Sequence, residues 1–182
     1  MTLVVLLGGA RSGKSRLACE LASHSGQPVT FIATAEARDE EMRTRIEAHR
    51  AERPRVWQTV EEPYRLAHAL AGLSDDRAVI VDCLALWVAN ALERGDQSGG
   101  IMETARSTAG IARARPGLTV AVSNEVGLGV VPATPLGRRF RDVLGSVNRI
   151  WVDEADRAVL VVAGRALPLM GAVELLRDGG DV

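Results

Sequence analysis

The segment Gly8–Ser15 has the residue types and the spacing of a phosphate-binding loop. Its sequence, GGARSGKS, matches the pattern G-x-x-x-x-G-K-[ST] at Gly8, Gly13, Lys14 and Ser15. Glycines let several backbone N–H groups turn toward one phosphate, and a helix that begins there adds positive potential. Lys14 is expected to neutralise the β- and γ-phosphates, and the Ser15 hydroxyl is expected to bind Mg²⁺. The pattern predicts a site for a purine nucleoside triphosphate in an enzyme that transfers a group from it.

Asp82 is the predicted acidic partner of this loop. It follows the apolar run AVIV at residues 78–81, at the carboxyl end of a predicted strand. In a P-loop fold that end of the sheet faces the nucleotide, where a carboxylate can hold Mg²⁺ through water. The alternative is that Asp82 only caps the helix that follows it.

A histidine flanked by arginines lies on a predicted helix of residues 38–53. Arg45, His49 and Arg53 are spaced i, i+4 and i+8, and Arg50 lies beside them. A neutral imidazole can attack an α-phosphorus to form a covalent nucleotidyl intermediate, while guanidinium groups neutralise the developing charge. The same segment also carries four glutamates, Glu40, Glu41, Glu47 and Glu52. The spacing alone therefore leaves an ordinary solvent-exposed helix open as the alternative.

The elements that must position these residues alternate between strand and helix. Apolar runs predict four strands, at residues 2–7, 29–34, 78–81 and 118–122. Helical patterns with two bounds are predicted at residues 12–25, 38–53 and 136–147. Three further helices are predicted: one from Pro63 onward, one through residues 84–88, and one that ends at about Arg115. Two more apolar runs, 158–163 and 166–169, flank Gly164–Arg165 and predict a hairpin, hence one antiparallel strand at the end of the sheet.

Continuous apolar strands are typical of a parallel sheet covered on both faces. The sequence thus predicts an α/β, single-domain, three-layer P-loop NTPase-like fold over residues 1–176, with a mostly parallel sheet and an antiparallel C-terminal strand. The acidic tail, 177–182, is expected to fray. A formal net charge of −1 over 182 residues argues against a nucleic-acid partner. Two isolated cysteines, and no apolar run of membrane-spanning length, predict a cytoplasmic protein.

Six stretches of the chain, taken together, are more specific than the P-loop alone. They are GGARSGKS at 8–15, IAT at 32–34, RIEAHRAERPRVWQTVEEP at 45–63, VDCLALWVAN at 81–90, SNEVGLGVVP at 123–132 and FRDVLGSVN at 140–148. In this order they resemble the bifunctional adenosylcobinamide kinase/adenosylcobinamide-phosphate guanylyltransferase family of cobalamin biosynthesis. That family is RecA-like in fold and forms a homotrimer.

The resemblance implies two reactions and a set of site residues. Adenosylcobinamide is phosphorylated with ATP or GTP, and GMP is then transferred from GTP, via a guanylyl-histidine at His49, to give adenosylcobinamide-GDP and pyrophosphate. The implied nucleotide contacts are Gly8, Gly9, Ala10, Arg11, Ser12, Gly13, Lys14, Ser15, Ala33, Thr34, Ala35, Arg50, Ala51, Glu52, Arg53, Glu61 and Asp82. For Asp82 the family pattern adds a guanine-binding role that competes with the Mg²⁺ role.

Two other functions remain open from the residues alone. A P-loop kinase of another small metabolite would need no histidine nucleophile, and a nucleotide-dependent switch would hydrolyse its nucleotide and signal to a partner. The segment 123–132 has three interpretations: part of the corrinoid site, part of a subunit boundary, or a flexible connection.

Overall fold

The computed structural model describes residues 2–51 and 53–174 of the chain, apart from the side chains of Glu41 and Arg45. Its elements in chain order are β1 (Thr2–Leu7), α1 (Lys14–His24), β2 (Val29–Ala33), α2 (Glu40–Ala51), β3 (Gln58–Glu61), α3 (Leu66–Ala71), β4 (Ala78–Asp82), α4 (Leu84–Glu93), α5 (Ser98–Ala114), β5 (Leu118–Val122), α6 (Pro135–Glu154), β6 (Arg157–Val162) and β7 (Arg165–Leu169).

The seven strands form one sheet in the order β3-β2-β4-β5-β1-β6-β7. Every neighbouring pair is parallel except β6 and β7, which are antiparallel. Helices cover both faces, so the apolar runs of β1, β2, β4 and β5 are buried, as a parallel sheet requires. The predicted α/β architecture, with its antiparallel C-terminal strand, is confirmed.

The order of the central strands decides which groups meet at the carboxyl edge of the sheet. β5 lies between β1, which leads into the P-loop, and β4, which ends at Asp82. α1 crosses above β5 toward β4, so the first turn of this helix brings the P-loop and Asp82 together. The segment after β5 begins between these two groups.

The predicted elements differ from the observed ones at the edges of the sheet and at the ends of helices. The sequence does not predict β3, because this four-residue edge strand has a single apolar side chain, Val60, and no buried residue. The helix predicted from Pro63 begins at Leu66, since the Glu62 carboxylate accepts the backbone N–H groups of Tyr64 and Arg65 in a turn before it.

The other differences are smaller. α6 extends seven residues beyond the predicted end at Val147, because its apolar face continues through the buried Ile150 and Trp151. The hairpin turn is Ala163–Gly164, both with positive φ, one residue earlier than predicted. The tail 177–182 lies outside the described residues. Among the described helices, none is long and apolar enough to cross a membrane.

Candidate active site

The predicted phosphate loop forms at the junction of β1 and α1. Gly13 adopts φ of 99°, a left-handed conformation that favours glycine, and α1 starts at the next residue. Lys14 is buried, and its Nζ donates to Gly8 O at 2.9 Å and to Gly9 O at 2.7 Å. The lysine charge therefore lies inside the curve of the loop, next to the N-terminus of α1.

Neighbouring segments hold the loop from both sides. On one side the Glu125 N–H donates to Gly8 O at 3.0 Å, and on the other the Gly164 N–H donates to Ser12 O at 2.8 Å. A Cβ atom at Gly8 would lie only 2.4 Å from Val161 O, so this position tolerates glycine alone. The loop is therefore fixed in shape by the segment after β5 and by the turn of the hairpin.

Asp82 and Ser15 form the oxygen-rich part of the site. The Ser15 hydroxyl hydrogen-bonds the Asp82 carboxyl. Burial raises the pKa of Asp82, while this hydrogen bond and the charges of His49, Arg53 and Lys14 act in the opposite direction. A half-buried carboxylate beside Lys14 and Arg53 is suited to a site that binds phosphate together with a metal ion.

The oxygen donors of Ser15 and Asp82 suit Mg²⁺. Mg²⁺ is commonly held by one or two protein oxygens together with substrate phosphates and water. Ser15 and Asp82 supply such oxygens. Within residues 2–51 and 53–174 there is no group of three His, Cys, Asp or Glu side chains that could hold a metal by itself.

A cleft of about 450 Å³ joins this site to α2. From the predicted set it is lined by Ala10, Arg11, Ser12, Gly13, Lys14, Ser15, Ala33, Ala35, His49, Arg53 and Asp82. His49 lies on the face of α2 turned toward the cleft, together with Met42 and Ile46, one turn apart. The histidine and the phosphate loop, 34 residues apart in sequence, thus share one cavity.

Arg53 is the arginine that enters the cleft. Its guanidinium stacks on the Phe31 ring, 3.5 Å from the centroid, and burial lowers its pKa while the Asp82 charge opposes that shift. Arg50 instead points outward and pairs with Glu61 at 3.4 Å, where both side chains are largely exposed.

Five other predicted residues do not line the cleft: Gly8, Gly9, Thr34, Ala51 and Glu61. Thr34 is fully buried, and its hydroxyl donates to Cys83 O at 2.7 Å and accepts from Cys83 N at 2.8 Å. Its side chain thus holds the backbone next to Asp82. Glu52 lies outside the described residues.

Nine residues that line the cleft were not predicted as site residues: Arg16, Cys19, Phe31, Met42, Ile46, Cys83, Leu86, Val122 and Asn124. Strand geometry could have indicated Phe31, because it lies two residues before the predicted site residue Ala33 on β2 and its side chain points to the same face of the sheet. A helical signal was available for Met42 and Ile46, which precede His49 by seven and three positions.

The fold and this cleft define a P-loop nucleotide-binding protein. The chain is similar in fold to the ATPase EscN of the enteropathogenic E. coli type III secretion system, with a TM-score of 0.52 at 12% identity, covering 99% of this chain and 45% of that one. This is a likeness of fold alone. The sequence profile of the family described as cobinamide kinase / cobinamide phosphate guanyltransferase matches residues 4–169. The chain belongs to this family.

Two curated relatives agree with that membership. The chain is 45% identical over 170 residues to the bifunctional adenosylcobalamin biosynthesis protein CobP of Pseudomonas aeruginosa, covering 92% of this chain and 96% of the relative. It is 38% identical over 175 residues to the bifunctional adenosylcobalamin biosynthesis protein CobU of Escherichia coli K12, covering 89% of this chain and 96% of the relative. The predicted family is confirmed.

Proposed function

We propose that this enzyme phosphorylates the hydroxyl of adenosylcobinamide with ATP or GTP, and then transfers GMP from GTP to the phosphate it has made. The second transfer passes through a covalent guanylyl group on His49. Family membership supports the pair of activities. The observation that carries the covalent step is the presence of His49 in the same cleft as Lys14 and Asp82.

In the kinase step the hydroxyl oxygen of cobinamide bonds to the γ-phosphorus, the bond from that phosphorus to the bridging oxygen breaks, and the nucleoside diphosphate leaves. The hydroxyl proton passes to solvent. Lys14 leaves the carbonyl oxygens of Gly8 and Gly9 and neutralises the transferring phosphate, and the N-terminus of α1 adds further positive potential. Ser15 and Asp82 would hold Mg²⁺, which would neutralise phosphate charge.

In the guanylyl step a ring nitrogen of neutral His49 bonds to the α-phosphorus of GTP, and the bond between that phosphorus and the β-bridging oxygen breaks. Pyrophosphate leaves with the electron pair. A phosphate oxygen of cobinamide phosphate then bonds to the same phosphorus, and the phosphorus–nitrogen bond breaks to restore the histidine. The stacked guanidinium of Arg53 lies in the cleft to neutralise charge during both transfers.

The proposed state of the protein is a cytoplasmic homotrimer. β7 is the outer strand of the sheet, and all five of its residues are exposed. Leu167, Leu169 and Met170 place apolar surface there, next to the unpaired backbone groups of an edge strand. An apolar strand edge is the kind of surface that a second subunit covers. No disulfide joins Cys19 and Cys83, as expected in a reducing compartment.

The covalent step is tested with GTP labelled at the α-phosphate. Wild-type enzyme incubated with GTP alone should retain label through denaturing electrophoresis and release it in acid, because a protonated imidazole nitrogen is a good leaving group. His49→Ala should take up no label and should lose guanylyl transfer, while phosphorylation of cobinamide persists. His24→Ala is the matched control, since His24 is exposed and bonds Glu20 O of its own helix.

Two outcomes would contradict this assignment. Acid-labile GMP on His49→Ala would place the nucleophile elsewhere. Kinase activity without any covalent label in the wild type would favour a P-loop kinase in which His49 is only structural. A protein that hydrolyses GTP but turns over no corrinoid would instead be a nucleotide-dependent switch.

A further inference from the structure

The segment of residues 123–134, here named the β5–α6 loop, carries apolar side chains on its outer surface. Leu128 is 83% exposed, Val130 is 95% exposed and Val131 is 61% exposed. Three large aliphatic side chains this exposed within four residues are unusual, because scattered exposure is normal and clustered exposure marks a binding surface.

Both ends of the β5–α6 loop are held in place. At its start Glu125 N donates to Gly8 O at 3.0 Å, and Asn148 Nδ2 donates to Asn124 O at 3.0 Å. At its end the Arg138 guanidinium donates to Pro132 O at 3.0 Å and to Ala133 O at 2.8 Å. The apolar side chains therefore stand on a short span between two fixed points, at a defined distance from the P-loop.

The β5–α6 loop begins next to the place where the transferred phosphate is expected to bind. β5 lies between the strand that leads into the P-loop and the strand that ends at Asp82, and Val122 and Asn124 line the nucleotide cleft. The γ-phosphate of a bound nucleotide lies near Lys14, Ser15 and Asp82, above the end of β5. The start of this loop, at Asn124, borders the space from which an acceptor hydroxyl can approach that phosphate.

The other exposed apolar surface lies on the opposite side of the P-loop. β6 and β7 flank β1 on the side away from β4, and their turn contacts the P-loop through Gly164 N and Ser12 O. A substrate on that surface would be separated from Asp82 by the P-loop itself. The hairpin therefore suits a subunit contact, and the β5–α6 loop suits the acceptor.

We propose that Leu128, Val130 and Val131 of the β5–α6 loop bind the corrin macrocycle of cobinamide. The corrin ring has a broad, methyl-bearing apolar surface, and its hydroxyl-bearing side arm is long enough to enter a cleft while the ring stays outside. The exposed aliphatic side chains match this surface, and the fixed base of the loop sets the distance from ring to phosphate. The inference rests on the proposed function.

The test compares the full-length variants Leu128→Ser and Val130→Ser with Val56→Ser. Val56 is 89% exposed and lies on the connection between α2 and β3, so it controls for loss of an exposed aliphatic side chain. Initial rates of phosphorylation are measured against cobinamide concentration at saturating ATP. Each loop variant should raise the KM for cobinamide about tenfold, as expected for loss of one buried aliphatic side chain. Val56→Ser should leave it unchanged.

Two further measurements distinguish binding of cobinamide by the loop from a role in the GTP site or in subunit assembly. Covalent labelling by GTP without cobinamide should be unchanged in the loop variants, and so should the mass of the native protein by light scattering. An unchanged KM would overturn the inference, and so would a fall in GTP labelling that matches the KM effect. A smaller native mass with unchanged KM would make the loop a subunit contact and also overturn it. If wild-type enzyme did not phosphorylate cobinamide, the proposed function would fail as well.

Discussion

Replacing Thr34 by valine tests whether the Thr34 hydroxyl stabilises the backbone at Cys83, next to Asp82. Valine keeps the volume of threonine but has no hydroxyl group, so the two bonds to Cys83 are lost. Cys83 O keeps a second donor, Trp87 N at 3.2 Å, so it is not left without a partner. Losing the bond from the Thr34 hydroxyl to Cys83 O should therefore cost about 0.5–1.5 kcal/mol, as for one ordinary hydrogen bond. The buried Cys83 N–H loses the hydroxyl that accepts it, which costs about 1–3 kcal/mol.

The sum is a loss of about 1.5–4.5 kcal/mol in the free energy of unfolding. For a chain of this length each kcal/mol lowers Tm by about 2–4 °C, so a loss near the middle of the range lowers it by about 6–12 °C. Thr34→Ser keeps the hydroxyl and removes one buried methyl group, at a cost of about 1 kcal/mol. We therefore expect serine to be better tolerated than valine, although valine preserves the packing.

Urea unfolding, followed by the fluorescence of the three tryptophans, measures this order. If Thr34→Val were as stable as Thr34→Ser, the hydroxyl would not hold Cys83 and the reasoning would be refuted. A nucleotide contact by the Thr34 side chain would give the opposite pattern, a raised KM for nucleotide with no loss of stability.

Two other predictions concern the charged groups of the P-loop site. Lys14→Ala should lower both phosphorylation and guanylylation about a thousandfold, because both transfers need triphosphate charge neutralised; near-normal turnover in either assay would show that nucleotide binds elsewhere. Asp82→Asn should abolish Mg²⁺-dependent labelling by GTP while stabilising the nucleotide-free protein at neutral pH. Burial raises the pKa of Asp82 in the folded protein above its pKa in the unfolded chain. Protonation of Asp82 therefore stabilises the fold at pH values below the unfolded-state pKa, and this stabilisation is lost as the pH rises through the folded-state pKa. The advantage of the Asp82→Asn variant in urea unfolding should therefore shrink toward acid pH, and an advantage that grew in acid would contradict the burial argument.

The residues that sequence patterns predict well are those fixed by local rules. The strand before Gly8, the loop and the start of α1 are encoded within 20 residues, and Asp82 follows an unbroken apolar run. Such patterns depend on backbone conformation and burial, which act on neighbouring residues. The structure confirmed the predicted architecture and the comparisons confirmed the predicted family, whereas the roles of the individual site residues stay predictions.

What the sequence could not provide is the part of the site that depends on distant segments. The floor of the cleft at Phe31 and Leu86 comes from two elements whose apolar side chains look like ordinary core. The buried hydroxyl of Thr34 could be assigned to Cys83 only once β2 and β4 were known to be neighbours. Strand order, rather than local pattern, decides these contacts, and no local rule determines strand order.

The supports of the P-loop also decide when the nucleotide site can form during synthesis. Residues 8–15 leave the ribosome long before β5 and β6, but β1 pairs with both of these strands, and Ser12 O accepts a hydrogen bond from Gly164 N, 152 residues later. A nascent chain with all of α1 and β2 therefore has the phosphate-binding residues without the sheet positions that shape them. Because such long-range contacts form only after the distant strands exist, nucleotide capture is a late event in the life of each chain. ATP and GTP can stabilise the finished fold, but they cannot guide its early steps.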